Sequence, residues 1–311
     1  MRAMVLDGFG GPEVLRPAEV PAPEAVAPTD VVVRVQAAGI NPIDLKTRAG
    51  GGVAALLPTD GPKILGWDVA GVVESVGRGV TRFAPGDPVF GMPWFPRPAG
   101  AYAEYVAAPS RQFAALPPNV SAADAASVPL AALTARQALS LAAVGPGSQV
   151  LVHGAAGGVG YLAVQLAVAL GARVVATARG EDAALLRELG AERVLDYRGE
   201  PFEKALGPTL DAVIDLHGAD GYPQRSLEVL RDGGTLVVVP SVAPRPEPER
   251  DVRVTGVMVE PDRADLEAVA ALIASGAVRV RGARTFPLRE AAEAHRALES
   301  GEVRGKAVLL P

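Results

Sequence analysis

The chain has 311 residues, 49% hydrophobic and 21% charged, which is apolar material for two packed domains of ordinary size and too much for disorder. Its formal net charge is -5 and no run of Lys and Arg exceeds two residues, which argues against the basic face of a nucleic-acid-binding protein. It contains no cysteine, so disulfides, thiolate zinc sites and a cysteine nucleophile are excluded together, and redox chemistry must run through a bound cofactor.

In chain order, the opening "MRAMVLDGFGGPEVL" has no sustained apolar segment. Apolar runs elsewhere are broken before membrane-spanning length, so the expectation is a cytoplasmic protein with no membrane span. From Met1 to Pro118 the pattern is short strands punctuated by Gly and Pro: "DVVVRVQAAGI" (Asp30 to Ile40), "VAGVVESVG" (Val69 to Gly77), "GDPVFGM" and "GAYAEYVAAP". That is the signature of a barrel-like β domain. From Asn119 the period changes. "SAADAASVPLAALTARQALSLAAV" reads as helix, capped by Ser121 and interrupted at Pro129. Strands and helices then alternate to "TLVVVPS", with "RVTGVMV" (Arg253 to Val259) as the last strand. Unbroken Val/Leu/Ile strands separated by helices predict a parallel sheet covered on both faces. The tail after Val259 predicts two amphipathic helices and strands near Val278 and Val308, and it is free to complete the first domain.

Inside the alternating block, "LVHGAAGGVGYLAVQLA" runs from Leu151 to Ala167. A strand feeds this glycine stretch and a helix leaves it, so it is a turn at the mouth of a sheet rather than a linker. Such a turn aims backbone N–H groups and a helix N-terminus at one spot that favours a phosphate. Ala156 lies in this turn, and Gly157, Gly158 and Gly160 permit close approach of a pyrophosphate. The spacing departs from the usual G-x-G-x-x-G, so its context carries the reading. The next strand runs into Thr177, Ala178 and Arg179, without the terminal acid that would hold an NAD ribose. Arg179 suits a 2′-phosphate and favours NADPH. Glu181 and Asp182 are close enough to bind a ribose instead, but are read first as caps of the following helix.

Seven segments in order, "AAGINPIDLKTRAG", "LGWDVAGVVESVG", "GDPVFGM", "GAYAEYV", "LTARQAL", "GAAGGVG" and "GKAVLLP", span nearly the whole chain. Together they closely resemble the zinc-free quinone oxidoreductases, the ζ-crystallin-like branch of the medium-chain dehydrogenase/reductase superfamily. The resemblance implies an α/β protein. A GroES-like β-barrel catalytic domain would be built from both chain ends (1–118 and 260–311), with an inserted doubly wound Rossmann domain (119–259) that binds NADPH. Zinc-dependent relatives carry a Cys in the first segment and Gly-His-Glu in the second. The corresponding residues here are Asn41 and Gly66-Trp67-Asp68, so no metal site is expected.

The resemblance further implies that Asn41 lies beside the nicotinamide and that Asp44 supports its loop. It places Thr134 on the nicotinamide side, the Gly158 and Val159 amides on the pyrophosphate, Tyr197 near the 2′-phosphate and Lys306 reaching back towards the cofactor phosphates. The tyrosines that several relatives carry after the Asn-Pro-x-Asp motif are replaced by Lys46, Thr47 and Arg48, so the substrate pocket does not carry over.

The expected reaction is hydride transfer from NADPH to a quinone or an α,β-unsaturated carbonyl, with a hydrogen bond to the carbonyl oxygen as charge develops. Asn41 is the first candidate donor and Lys46 the second. His217, at a strand end, is a candidate to approach the nicotinamide. A structural or solvated side chain is the plainer reading for each of His153, His217 and His295. A non-catalytic NADPH binder and a reductase of simple aldehydes or ketones remain alternatives. A homodimer is expected, with "RVTGVMV" pairing edge to edge.

Overall fold

The structure, a computed structural model, describes residues 1–199, 201–219, 221–240, 243 and 245–311. The chain divides into two compact units: Met1–Leu130 with Glu260–Gly276 and Val280–Pro311, and Ala131–Val259 with Ala277–Arg279. The first unit is an α/β assembly dominated by antiparallel strands, and the second is a parallel sheet with helices.

The first unit opens with β1 (Arg2–Leu6) and β2 (Leu15–Glu19), which pair antiparallel. Next come β3 (Asp30–Ile40), α1 (Pro42–Arg48), β4 (Asp68–Val76), β5 (Pro88–Gly91), β6 (Tyr105–Pro109), β7 (Phe113–Ala115) and α2 (Ala122–Ala125). As expected, Ser121 caps α2, accepting from the Asp124 amide. β3 is the spine of this unit. Its valine run is buried on both faces, and it pairs with β4 on one side while β15 (Ala307–Leu310) and β6 lie along the other. A Cβ on Gly39 would sit 2.2 Å from the Ala126 carbonyl oxygen, so α2 can approach β3 only over a glycine.

The second unit begins within α3 (Pro129–Leu141) and continues through β8 (Gln149–His153), α4 (Gly160–Ala169), β9 (Arg173–Ala178), α5 (Ala183–Glu188) and β10 (Arg193–Asp196). It ends with α6 (Phe202–Ala205), β11 (Leu210–Asp215), α7 (Tyr222–Val229), β12 (Leu230–Val238) and β13 (Val252–Gly256). The six strands are parallel throughout, in the order β10-β9-β8-β11-β12-β13. Counted within the unit this is 3-2-1-4-5-6, the doubly wound dinucleotide-binding order, whose direction reverses between β8 and β11. The strand cores, such as Val150, Leu151 and Val152, are fully buried, as a sheet covered on both faces requires.

The tail returns to the first unit with α8 (Arg263–Ala274), β14 (Arg284–Pro287), α9 (Ala291–Glu299) and β15. Two expectations differ from this. The units divide after Leu130 rather than after Pro118, because α2 packs on β3 and β4 and the Asp124 carboxylate accepts from the Ala283 amide. No strand forms at Val278. Residues 277–279 belong to the second unit, where Gln165 bonds both the amide and the carbonyl of Arg279, and the strand starts at Arg284. Among the described residues no helix is long and apolar enough to cross a membrane.

Candidate active site

In the first unit, three strand ends bring together residues far apart in sequence. Ile40 pairs with Ala307, so Asn41 and Lys306 lie side by side just beyond the paired residues. Gly39 pairs with Asp68 across β3 and β4, which adds a carboxylate. Asn41 caps α1 in a reciprocal box: its own N–H donates to Asp44 Oδ2 at 2.8 Å, and its side chain faces the Asp44 amide. Asp44 Oδ1 accepts from the Gly66 amide at 2.9 Å, tying α1 to the segment that leads into β4.

The Asn41 carboxamide has only one chemically consistent orientation. Lys306 is solely a donor, so it bonds Oδ1, and the Asp68 carboxylate accepts from Nδ2 at 2.9 Å. Lys306 Nζ lies 3.7 Å from Asp68 Oδ2, and Asp68 Oδ1 accepts from the Leu130 amide at 2.8 Å. All four side chains are buried. Burial pushes the Asp44 carboxyl up to about 7, against the Asn41 amide that holds it down, and the neighbouring Asp68 carboxylate raises it further. Burial also raises Asp68 and lowers Lys306, and their attraction opposes both shifts.

Lys46, the second catalytic candidate, is exposed on α1 and does not join this cluster. Residues i and i+2 on a helix face different ways, and Asp44 takes the buried side. Lys306 does not extend as a free cation for cofactor phosphates. Its ammonium is committed to Asn41 and Asp68.

In the second unit a cavity of about 360 Å³ opens where the strand order reverses, lined among others by Gly154, Ala156, Gly157, Arg179, Tyr197 and His217. The turn after β8 is tight: a Cβ on Gly160 would lie 2.2 Å from the Gly154 carbonyl oxygen. Only glycine lets the N-terminus of α4 come this close to β8. Gly158 lies between the lining turn and Val159, which occupies the N-cap position of α4. The Arg179 guanidinium donates from Nε to the Tyr197 hydroxyl at 3.2 Å, so cation and phenol share one corner of the cavity. This set fits a phosphorylated dinucleotide: backbone amides and a helix N-terminus at one end, a cation with a hydroxyl at the other. Thr134 is buried on α3.

Sequence reasoning does not single out Tyr222 here, and it weighs Asp182 only as a helix cap or a ribose ligand. Thr177, Asp182 and Tyr222 also line the cavity. Asp182 occupies the N-cap position of α5 but makes no side-chain cap bond. Tyr222 starts α7, and its ring meets His217 edge-on at 5.7 Å; nothing in its local sequence marks it. His153 is buried behind the cavity wall. Burial lowers its pKa to about 3, so it is neutral. Ser226 donates its hydroxyl to the Tyr222 carbonyl and so accepts from His153 Nε2, leaving Nδ1 to accept from Thr177. Asp68 had two visible signals, a carboxylate inside the apolar run "LGWDVAGVV" and its place in the segment where zinc-dependent relatives carry Gly-His-Glu.

A GroES-like β unit carrying a buried amide–carboxylate–ammonium cluster, together with a Rossmann unit carrying a phosphate cradle, defines a medium-chain dehydrogenase/reductase architecture. The chain belongs to that superfamily: residues 27–118 match the alcohol dehydrogenase GroES-like domain family and residues 189–309 match the zinc-binding dehydrogenase family. It is 34% identical to an NADPH-dependent alkenal/one oxidoreductase of Arabidopsis thaliana, over 100% of this chain and 80% of that one. Among solved structures it resembles the quinone oxidoreductase from Coxiella burnetii, with TM-score 0.90 and 38% identity over 100% of this chain and 99% of that one. The Escherichia coli quinone oxidoreductase complexed with NADPH is similar at TM-score 0.85 and 31% identity, with 100% of both chains covered. The chain is therefore an oxidoreductase of this superfamily. The zinc-free branch fits its residues. Among the described residues, no three His, Asp or Glu side chains are grouped to hold a metal ion.

Proposed function

We propose that this protein reduces a quinone or an α,β-unsaturated carbonyl with NADPH and without zinc. The observation that carries the reading is the Asn41 carboxamide held between the Lys306 ammonium and the Asp68 carboxylate. Bound NADPH supplies the hydride. The Gly154–Gly157 turn and the start of α4 hold its pyrophosphate, and Arg179 with Tyr197 holds the 2′-phosphate. The Lys306 charge draws electron density from Asn41 Oδ1 and so strengthens Nδ2 as a donor. One Nδ2 hydrogen goes to Asp68, and the second is the donor to a carbonyl oxygen as negative charge develops on it.

Zinc does not suit this donor set. An amide, two carboxylates and an ammonium lack the imidazole and thiolate ligands that zinc prefers, and the ammonium repels a cation.

The test is the loss of NADPH absorbance on mixing the purified protein with quinones, enones and aldehydes in chelator-containing buffer. Turnover with quinones or enones, and little with NADH, is the expected result. Tight NADPH binding with no turnover on any acceptor would make the protein a non-catalytic NADPH binder. Turnover confined to aldehydes would make it a simple carbonyl reductase. We also propose a homodimer formed through β13, the terminal strand of the six-stranded sheet. A monomer by sedimentation at working concentration would end that idea.

A further inference from the structure

Beneath the Asn41 loop lies a second buried chain of side chains that the mechanism above does not use. His295, on α9, is fully buried. Its Nδ1 lies 3.3 Å from Arg48 NH1 and its Nε2 lies 3.0 Å from the Tyr102 hydroxyl. Arg48 is itself buried and pinned on three sides: Nε donates to the Gly10 carbonyl at 3.1 Å, NH2 donates to Glu299 at 2.6 Å, and NH1 reaches His295 and Glu299.

This geometry has a direction. A guanidinium only donates, so His295 Nδ1 must accept. In the neutral ring the proton then sits on Nε2, which donates to the Tyr102 oxygen. The Tyr102 O–H is thereby turned to another acceptor, and the buried Asp44 carboxyl acts on it: after burial, the Asp44 charge is the largest cause that raises the Tyr102 pKa. Asp44 itself accepts the amide bonds from Asn41 and Gly66. Gly66 adds a second link. Its φ is +95°, and a Cβ there would lie 2.4 Å from the Tyr102 ring. The ring therefore packs directly on the peptide that Asp44 holds.

We propose that His295 is a positioning residue for Asn41: fixed by Arg48 as the Nε2–H tautomer, it aims the Tyr102 hydroxyl at Asp44, and Asp44 holds the turn that presents the Asn41 amide. A buried histidine that only fills space needs no particular tautomer. This one stands in a one-way series from Arg48 to Asp44 that ends at the helix cap carrying the proposed donor. Small losses of aim at a reacting atom are expensive, because catalysis depends on the donor lying where charge develops.

The kinetic arm of the test rests on the reductase reading above; the spectroscopic arm does not. Long-range proton–nitrogen NMR of the wild-type protein reads the tautomer of each of its three histidines, with His295 assigned by the signal missing from His295→Gln. The expected result is a neutral His295 protonated on Nε2; protonation on Nδ1 overturns the proposal.

In kinetics, His295→Phe and Tyr102→Phe should each lower kcat at least about tenfold and leave KM for NADPH within about twofold. His295→Gln, whose amide can accept from Arg48 and donate to Tyr102, should recover most of that loss. Equal kcat in the Phe and Gln variants, or wild-type kcat in His295→Phe, overturns the proposal. If the wild-type protein turns over no acceptor, the reductase reading fails. The series is then read from carbon NMR of the Asp44 carboxyl, which should titrate at higher pH in Tyr102→Phe than in wild type. An unchanged titration overturns it.

Discussion

Lys306 and Asn41 share a hydrogen bond although 265 residues separate them. The pairing of β15 with β3 makes that contact, and it places a cation in the interior of the first unit. A buried ammonium is tolerated only with a partner, and Asp68 is that partner at 3.7 Å. Removing one member should therefore cost far more than removing both. Lys306→Met should lower unfolding free energy by about 3–5 kcal/mol, and adding Asp68→Asn should restore much of it. Denaturant unfolding of the single and double variants measures this. A loss under about 1 kcal/mol for Lys306→Met would mean that Asp68 does not need the cation.

Asn41→Ala removes the proposed carbonyl donor and leaves the Rossmann unit untouched. The expected result is a fall in kcat/KM for the acceptor of about 10²-fold, the size seen when one oxyanion donor is deleted, with NADPH affinity unchanged by fluorescence titration. An unchanged kcat/KM removes Asn41 from the mechanism.

Arg179 is a cation lining the second unit's cavity, 3.2 Å from the Tyr197 hydroxyl. Its replacement by Ala should weaken NADPH by about 10-fold or more and hardly touch NADH, because only NADPH carries the 2′-phosphate. Dissociation constants for both cofactors decide it. Equal losses for the two would assign Arg179 a general packing role.

The two buried histidines should make stability fall as the medium turns acidic, against buried carboxyls that act the other way. Burial lowers His153 and His295 from an ordinary value of 6.5 to about 3. Each therefore contributes stability that is present above 6.5 and is lost as pH falls towards 3. Asp44 works the other way. Burial raises it from 3.8 to about 7, so its contribution is present below 3.8 and is lost as pH rises to 7. Between about pH 6 and pH 4 each of these histidines gives the unfolded chain one more bound proton, roughly 1.4 kcal/mol per pH unit per histidine, and the raised Asp44 and Asp68 carboxyls oppose that slope. Urea midpoints across that range measure it. His153→Gln should flatten the dependence, and a slope that survives the substitution would remove His153 from the account.

Gly160→Ala should abolish NADPH binding or unfold the second unit, because the added Cβ would meet the Gly154 carbonyl oxygen at 2.2 Å. Calorimetric titration with NADPH beside a circular dichroism melt separates the two outcomes. Wild-type affinity in this variant would mean that the turn relaxes freely.

Local pattern was enough for the elements and for the cradle. The valine run of β3 is a strand over Asp30–Ile40, the stretch after β8 is a turn opening α4, and Ser121 caps a helix, because periodicity and turn chemistry act over a few residues. Asn41, Asp44, Arg179 and Tyr197 could be named from motifs and from the family they resemble.

Pairing between distant strands decided what those residues do. The register of β15 on β3 turns Lys306 from an expected phosphate ligand into the partner of Asn41, and that of β3 on β4 brings in Asp68. Lys46 lies only two residues from Asp44, yet one side chain is exposed and the other buried, because the helix turns them apart. His295 carries no motif, and nothing in "GAYAEYV" marks Tyr102 as its partner; they meet only where α9 closes on the first unit. Sequence determined which short segments could form and what chemistry each could carry. Burial and register, which depend on residues hundreds of positions away, determined which of those groups touch and in which protonation state.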